Sequence, residues 1–183
     1  MALNSTIYKA DLQISNMDCH YYQLHKLTIA KHPSETDERL MIRLLSFAMF
    51  AADALTFGKD ISADDEPALW QTDLTGAIEL WIEIGQPDER IIRKACGRSN
   101  QVVLMLYGRS SELWWKNNQT SFTGRTNLKV ILLSSEETQA LAKLANRNMS
   151  LTCTIEDDEV SLIDEKCSIS IKPVILFTGK TIK

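Results

Sequence analysis

Glu79 and Glu83 lie four residues apart in the run "ELWIEIG", and upstream of them stands an acidic cluster, Asp64, Asp65 and Glu66. Carboxylates of this kind hold Mg²⁺ or Mn²⁺ in phosphodiester chemistry, where the ion activates water and offsets charge on the phosphate. A nearby cation stabilises the transition state, and the stretch from Arg90 to Ser111 carries Arg90, Arg93, Lys94, Arg98 and Arg109 with no acidic residue among them. Trp114 and Trp115, followed by Lys116, match the pairing of aromatic rings and cations that suits single-stranded bases. The ordinary alternatives are solvated carboxylates, a charged helix face and core tryptophans.

The elements around these residues decide which of them can meet. Ile78, Leu80, Ile82 and Ile84 alternate with Glu79 and Glu83, which predicts a strand. Along it the two glutamates are separated by roughly 13 Å, at about 3.3 Å per residue. Ligands of one ion sit only about 2.0 to 2.6 Å from it, so the pair does not share an ion. The preceding run "ALWQTDL" reads as the hairpin partner around Thr75 and Gly76. Counting across that turn opposes Gln71 to Leu80 and Ala68 to Glu83, which brings the acidic cluster beside Glu83 and leaves Asp73 at the turn end. Pro87 then opens a helix with Asp88 and Glu89 at its positive end, Arg93 and Lys94 toward the other, and Gly97 as its stop. Adjacent residues on a helix point about 100° apart, so one of the two tryptophans belongs to the core.

The rest of the chain supplies the scaffold. Residues 6–14 and 21–30 alternate as a hairpin, and a helix opens at a Ser34 cap, carries Glu38 in its first turns and ends near Gly58. "QVVLMLYG" is the apolar run of a central strand. Helices follow at "SSELWWKNNQ" and "SSEETQALAKLANR", with the strand "NLKVILLS" between them, and the last forty or so residues read as a β-meander. The expected architecture is one α/β domain over residues 1–183: a mixed sheet flanked by helices at about 33–134, with extra antiparallel strands from both termini, 5–31 and 150–178, forming a second small sheet.

Composition narrows the setting without choosing the activity. A chain of 183 residues with 44% hydrophobic and 24% charged residues has enough apolar content for a folded core. Its net charge of -4 excludes a generic polyanion binder and leaves room for a local basic face. Four scattered cysteines without a C-x-x-C pair, no secretory leader pattern and no apolar run of membrane-spanning length lead to the expectation of a soluble cytoplasmic protein with reduced thiols.

The motifs "HPSETDER", "DDEP" and "LWIEIGQPDERIIRKAC", with the tryptophan pair after them, resemble the bacterial YaeQ family over essentially the whole chain. That resemblance implies a variant of the restriction-endonuclease-like, PD-(D/E)XK phosphodiesterase fold. It also implies a helix glutamate, here Glu38, an acid on the second core strand, here Asp65 or its neighbour Glu66, and a glutamate on the third, here Glu83. The superfamily's lysine two residues on is absent, because Gly85 stands there. Related folds sometimes carry that charge on the following helix, which implies Arg90 or Lys94 as its replacement.

Two functions follow. The first is a Mg²⁺- or Mn²⁺-dependent nuclease or phosphodiesterase, with Asp65, Glu66 and Glu83 as metal ligands and Glu38, Lys94 and Arg90 in catalytic roles. The second is an inactive descendant of that fold that binds nucleic acid or a protein partner. Its nucleic-acid contacts would be Arg93, Arg98, Trp114 and Trp115.

Overall fold

A computed structural model describes residues 4–58 and 66–180. In chain order the elements are β1 (Thr6–Asn16), β2 (Tyr21–Lys31), α1 (Asp37–Met49), β3 (Leu55–Phe57), β4 (Leu69–Thr72), β5 (Ile78–Ile84), α2 (Glu89–Arg98) and β6 (Ser99–Leu106). They continue as α3 (Ser111–Phe122), β7 (Leu128–Leu132), α4 (Ser135–Ala142), β8 (Asn148–Glu156), β9 (Glu159–Ile163), β10 (Ser168–Ile171) and β11 (Val174–Thr178). The fold is mixed α/β, with one sheet ordered β10-β9-β8-β1-β2 and another ordered β11-β7-β6-β5-β4-β3. The chain divides into two compact units, Met1–Met49 with Glu136–Pro173, and Phe50–Ser135 with Val174–Lys183. Among the described residues, no helix is long and apolar enough to cross a membrane.

The first unit is built on the β1–β2 hairpin, paired without a register break from Thr6↔Lys31 to Asn16↔Tyr21. Its alternation buries Ala10, Leu12, Ile14 and Ile29 on one face. β8, β9 and β10 form the expected meander. β1 joins β8 in parallel, whereas antiparallel terminal strands were expected. Everything between residues 16 and 148 serves as the crossover that a parallel pair requires, and strand composition alone does not encode that direction.

Helix α1 starts later and stops earlier than its apolar pattern suggests. Thr36 is the cap in place of Ser34, its hydroxyl accepting the Arg39 amide at 3.1 Å. Ser34 instead faces the His32 ring, with 2.6 Å between its Oγ and Nδ1. The helix ends at Met49, and the apolar residues after it, which prolong the periodic pattern, enter a turn and β3. Leu40 to Ala48 are buried without a gap, including Arg43 and Ser46. A buried arginine needs a partner. Glu35 supplies it at 3.1 Å and also accepts from Arg39 at 2.9 Å, while Arg43 Nη1 donates to the Ala30 carbonyl at 3.0 Å. Burial pushes the Arg43 pKa down and the Glu35 carboxylate opposes that shift. His25 meets the Phe47 ring edge-on, with 5.1 Å between centroids.

The second unit has three parallel strands, β5, β6 and β7, connected by α2 and α3. Both helices cover one face, where Trp81, Ile92, Ala95, Val102, Leu104, Trp115, Phe122 and Val130 form a core. β6 lies inside the sheet and is buried from Val102 to Leu106, as expected of its apolar run. The β4–β5 hairpin pairs Gln71 with Leu80. Asp73 closes its turn by accepting from the Thr75 amide, the Thr75 hydroxyl and the Ala77 amide at 2.7 to 2.9 Å. Gly76 supplies the positive φ of that turn. Residues 174–178, expected with the other terminal strands, form β11 and pair with β7.

Gly97 does not stop α2, which runs to Arg98. The Ser99 amide and hydroxyl both donate to the Ala95 carbonyl, which satisfies the helix end without a left-handed glycine.

Two outcomes follow. Replacing Glu35 by Ala leaves Arg43 buried without its carboxylate, and urea unfolding is expected to register a loss of about 3–5 kcal/mol. The Thr75 hydroxyl bond, followed by the Ala77 amide bond, holds the Asp73 carboxyl below its ordinary value of 3.8. Its stabilising contribution is therefore complete above that value and is lost as pH falls through the lower folded one. A carboxyl NMR titration should place the Asp73 midpoint below 3.8.

Candidate functional site

The strand β5 explains what the two glutamates do. Trp81 lies between them on the face that α2 covers, fully buried, and a buried indole N–H requires an acceptor. Glu83 provides one, with 2.9 Å between Trp81 Nε1 and Glu83 Oε1. Glu79, at the opposite end of the strand, accepts from Asn100 at 3.0 Å. The face of β5 that carries the two glutamates is thus packed at its centre, with Trp70 meeting Trp81 edge-on across the hairpin.

After Ile84 the chain makes a tight corner. Gly85 has φ +105° and its amide donates to the Met105 carbonyl at 2.9 Å. A side chain at that φ is strained, which gives a backbone reason for the missing lysine at this position. Gln86 ties the corner to the β6–α3 loop through Ser110, at 3.0 Å. Asp88 caps α2 by accepting the Arg90 amide at 2.8 Å. On α2, Ile92 and Ala95 face the core, so Arg90 and Arg93 project outward.

This corner and α3 border an open cavity of about 580 Å³. Pro87, Asp88, Arg90 and Arg93 line one side; Trp114 and Asn118 line the other. Trp114 is half-buried and stacked on Phe122, with centroids 5.9 Å apart. Asn118 donates to the Trp114 carbonyl at 2.7 Å. Arg93 pairs with Glu89 at 3.1 Å and Arg90 with Asp88 at 3.7 Å, so the rim's cations are balanced by carboxylates.

Three of the residues expected to contact nucleic acid or phosphate, Arg90, Arg93 and Trp114, therefore meet at one cavity. Trp115 does not: it stacks on Phe122 from inside the core and offers no face to a base. Arg98 lies over the Trp81 ring, 5.8 Å from its centroid. Lys94 follows Arg93 on α2 and does not line the cavity. Glu38 belongs to the first unit, where its carboxylate accepts from Thr138 at 2.6 Å. Motif and spacing do not single out Gln86 and Asn118, although Asn118 stands one helical turn after Trp114.

The expected metal ligands fit only in part. Asp65 lies outside the described residues, Glu66 is half-buried, and Glu83 is hydrogen bonded to Trp81. Among the described residues, no three His, Cys, Asp or Glu side chains are grouped to hold an ion. The described donors alone do not make a cage for a metal.

The Trp81 contact gives Glu83 a structural role that its variants expose. Glu83→Ala leaves the buried indole without this acceptor and should lower the unfolding free energy by about 1–3 kcal/mol. Glu83→Gln keeps a carbonyl oxygen there and should cost less, as urea unfolding of both variants will register.

Comparison with known proteins places this arrangement in a family. The model for the YaeQ protein family matches residues 1–173. YaeQ of Escherichia coli strain K12 is 40% identical over 172 residues, covering 93% of this chain and 95% of that protein. YaeQ of Salmonella typhi is 39% identical over 173 residues, covering 94% and 96%. The crystal structure of YaeQ from Xanthomonas axonopodis pv. citri superposes with a TM-score of 0.92 at 48% identity, over 96% of this chain and 99% of that one. That of YaeQ from Pseudomonas syringae gives 0.91 at 31% identity, over 96% and 98%. The chain belongs to the YaeQ family.

Proposed function

We propose that this protein binds single-stranded nucleic acid, in the cytoplasm, through the cavity between α2 and α3, as a non-catalytic variant of the restriction-endonuclease-like fold. The observation that carries this reading is the meeting of Arg90, Arg93 and Trp114 around one open cavity of about 580 Å³. Stacking a base on Trp114 requires an unstacked base, which favours single strands over duplex. Phosphates would be met by Arg90 and Arg93. Their present partners do not bar this, because exposed ion pairs are worth only about 0–1 kcal/mol and a phosphate exchanges readily for Asp88 or Glu89. The overall charge of -4 limits the affinity and makes it a local property of this face.

The alternative reading is a Mg²⁺- or Mn²⁺-dependent phosphodiesterase. It rests on the family's expected ligands, Asp65, Glu66 and Glu83, with Glu38 assisting and Arg90 or Lys94 in place of the lysine absent at Gly85. Glu83 near the carboxyl end of a parallel strand is the feature that favours it, since ligands of open α/β sheets gather at such ends.

Fluorescence anisotropy with labelled DNA and RNA 12-mers across a salt series separates the two. Binding should weaken by about 1–3 kcal/mol in Trp114→Ala. The Arg90→Ala, Arg93→Ala pair should flatten the log-log salt slope by about 1.4, for two phosphate contacts at about 0.7 each. Both results should be the same in EDTA and in Mn²⁺. Unchanged affinity in these variants would overturn the proposal, and Mn²⁺-dependent cleavage lost in Glu83→Gln would establish the phosphodiesterase instead.

A further inference from the structure

The five-stranded sheet of the first unit ends at β2, a strand of eleven residues with no bulge and no proline. Long regular edges are templates for pairing with another chain. Among the described residues, no strand pairs with the outer side of β2. The Lys9 and Met17 amides donate toward β8, to the Arg147 and Ile155 carbonyls, so odd-numbered residues of β1 turn their backbone groups away from β2. Lys9 is opposite Thr28, and hydrogen-bonding direction alternates along an antiparallel ladder. The even-numbered residues of β2 therefore direct their N–H and C=O groups outward. The Ala30 carbonyl agrees with this, since it is taken by the Arg43 side chain at 3.0 Å and not by β1. Tyr22, Leu24, Lys26 and Thr28 remain as the outward-facing run.

The same residues carry exposed apolar surface, Tyr22 at 59% and Leu24 at 51%. Two copies paired antiparallel across a twofold axis must match even residues with even residues, because side chains alternate between faces. Centring the axis on His25 sets Leu24 against Lys26, centring it on Gln23 shortens the paired run to residues 21–25, and centring it on Lys26 sets like charges opposite each other, which is destabilising. Centring it on Leu24 opposes Leu24 to Leu24 and Tyr22 to Lys26, an apolar contact flanked by two cation–aromatic pairs. On the other face that register opposes Gln23 to His25 and Tyr21 to Leu27.

We infer that the β2 edge is a homodimer interface, in which two copies of this chain pair β2 with β2 antiparallel about Leu24. Each outward pair exchanges two backbone hydrogen bonds, and Tyr22 and Lys26 of each copy flank the central leucines. The occupant is a second copy because the strand is self-complementary about Leu24. An interface of one strand per partner is small, so the dimer is weak. The inference stands apart from the cavity of the second unit and does not depend on it.

Sedimentation velocity of the full chain from about 1 µM to about 1 mM should show a monomer–dimer equilibrium, with concentrations chosen for a weak interface. Leu24→Lys should weaken it roughly tenfold or more, through like charge at the axis and lost apolar contact. In a Cys19→Ser, Cys167→Ser background, Leu24→Cys should form an intermolecular disulfide with itself. Hydrogen-bonded pairs place Cα atoms about 5.5 Å apart, within disulfide reach. Gln23→Cys, opposite His25 in the same register, should not cross-link. A chain that stays monomeric at the highest concentration, leaving the edge to a strand of another protein, would overturn the inference. So would undiminished dimerisation of Leu24→Lys, or equal cross-linking of the two cysteine variants.

Discussion

The second unit depends on one constraint: a tryptophan buried in a sheet must find an acceptor for its indole N–H without leaving the sheet. Trp81 is fully buried under α2, and Glu83, two residues along the same face of β5, accepts at 2.9 Å. A neutral donor paired to a carboxylate on the same strand allows that strand to carry charge while being packed on both faces. The question raised by two glutamates in an otherwise apolar strand is answered locally. Glu83 serves Trp81 and Glu79 serves Asn100. Whatever further work Glu83 performs is added to that duty.

From this packed strand the geometry of the cavity follows in sequence. β5 ends at a corner whose φ admits glycine most readily, and the chain then enters α2 through Pro87 and the Asp88 cap. The apolar positions Ile92 and Ala95 lock the helix onto Trp81's face, which turns Arg90 and Arg93 toward solvent. The next crossover does the same for the tryptophans. Trp115 is drawn into the core beside Phe122, and Trp114, about 100° around the helix, is left at the edge of the cavity. A polar and aromatic rim is thus a consequence of how two crossover helices bury their apolar sides.

Much of this was readable from the residues because it is local. The β1–β2 and β4–β5 hairpins, the helix after Pro87, the central strand at 102–106 and the division of labour between the tryptophans all follow from periodicity and turn chemistry over short windows. What escaped the sequence was non-local or degenerate. The burial of Trp81 was hidden because Glu79 and Glu83 on the same face resemble a solvent-facing pattern. The early end of α1 was hidden because the residues that form β3 continue its apolar spacing. The parallel β1–β8 pair and the transfer of β11 to the other sheet depend on contacts between distant segments, to which strand composition is blind. Of the candidate site, Arg90, Arg93 and Trp114 were identified by type and came together, whereas Trp115 and Arg98 were identified by type and are engaged elsewhere.

The most direct test of the central claim is an NMR titration following the indole N–H resonances of the four tryptophans as a short single-stranded oligonucleotide is added. If α2 and α3 form the binding surface, the Trp114 resonance shifts progressively while those of Trp81 and Trp115 stay in place. Saturable binding that leaves Trp114 unmoved, or that shifts the tryptophans alike, would contradict the account.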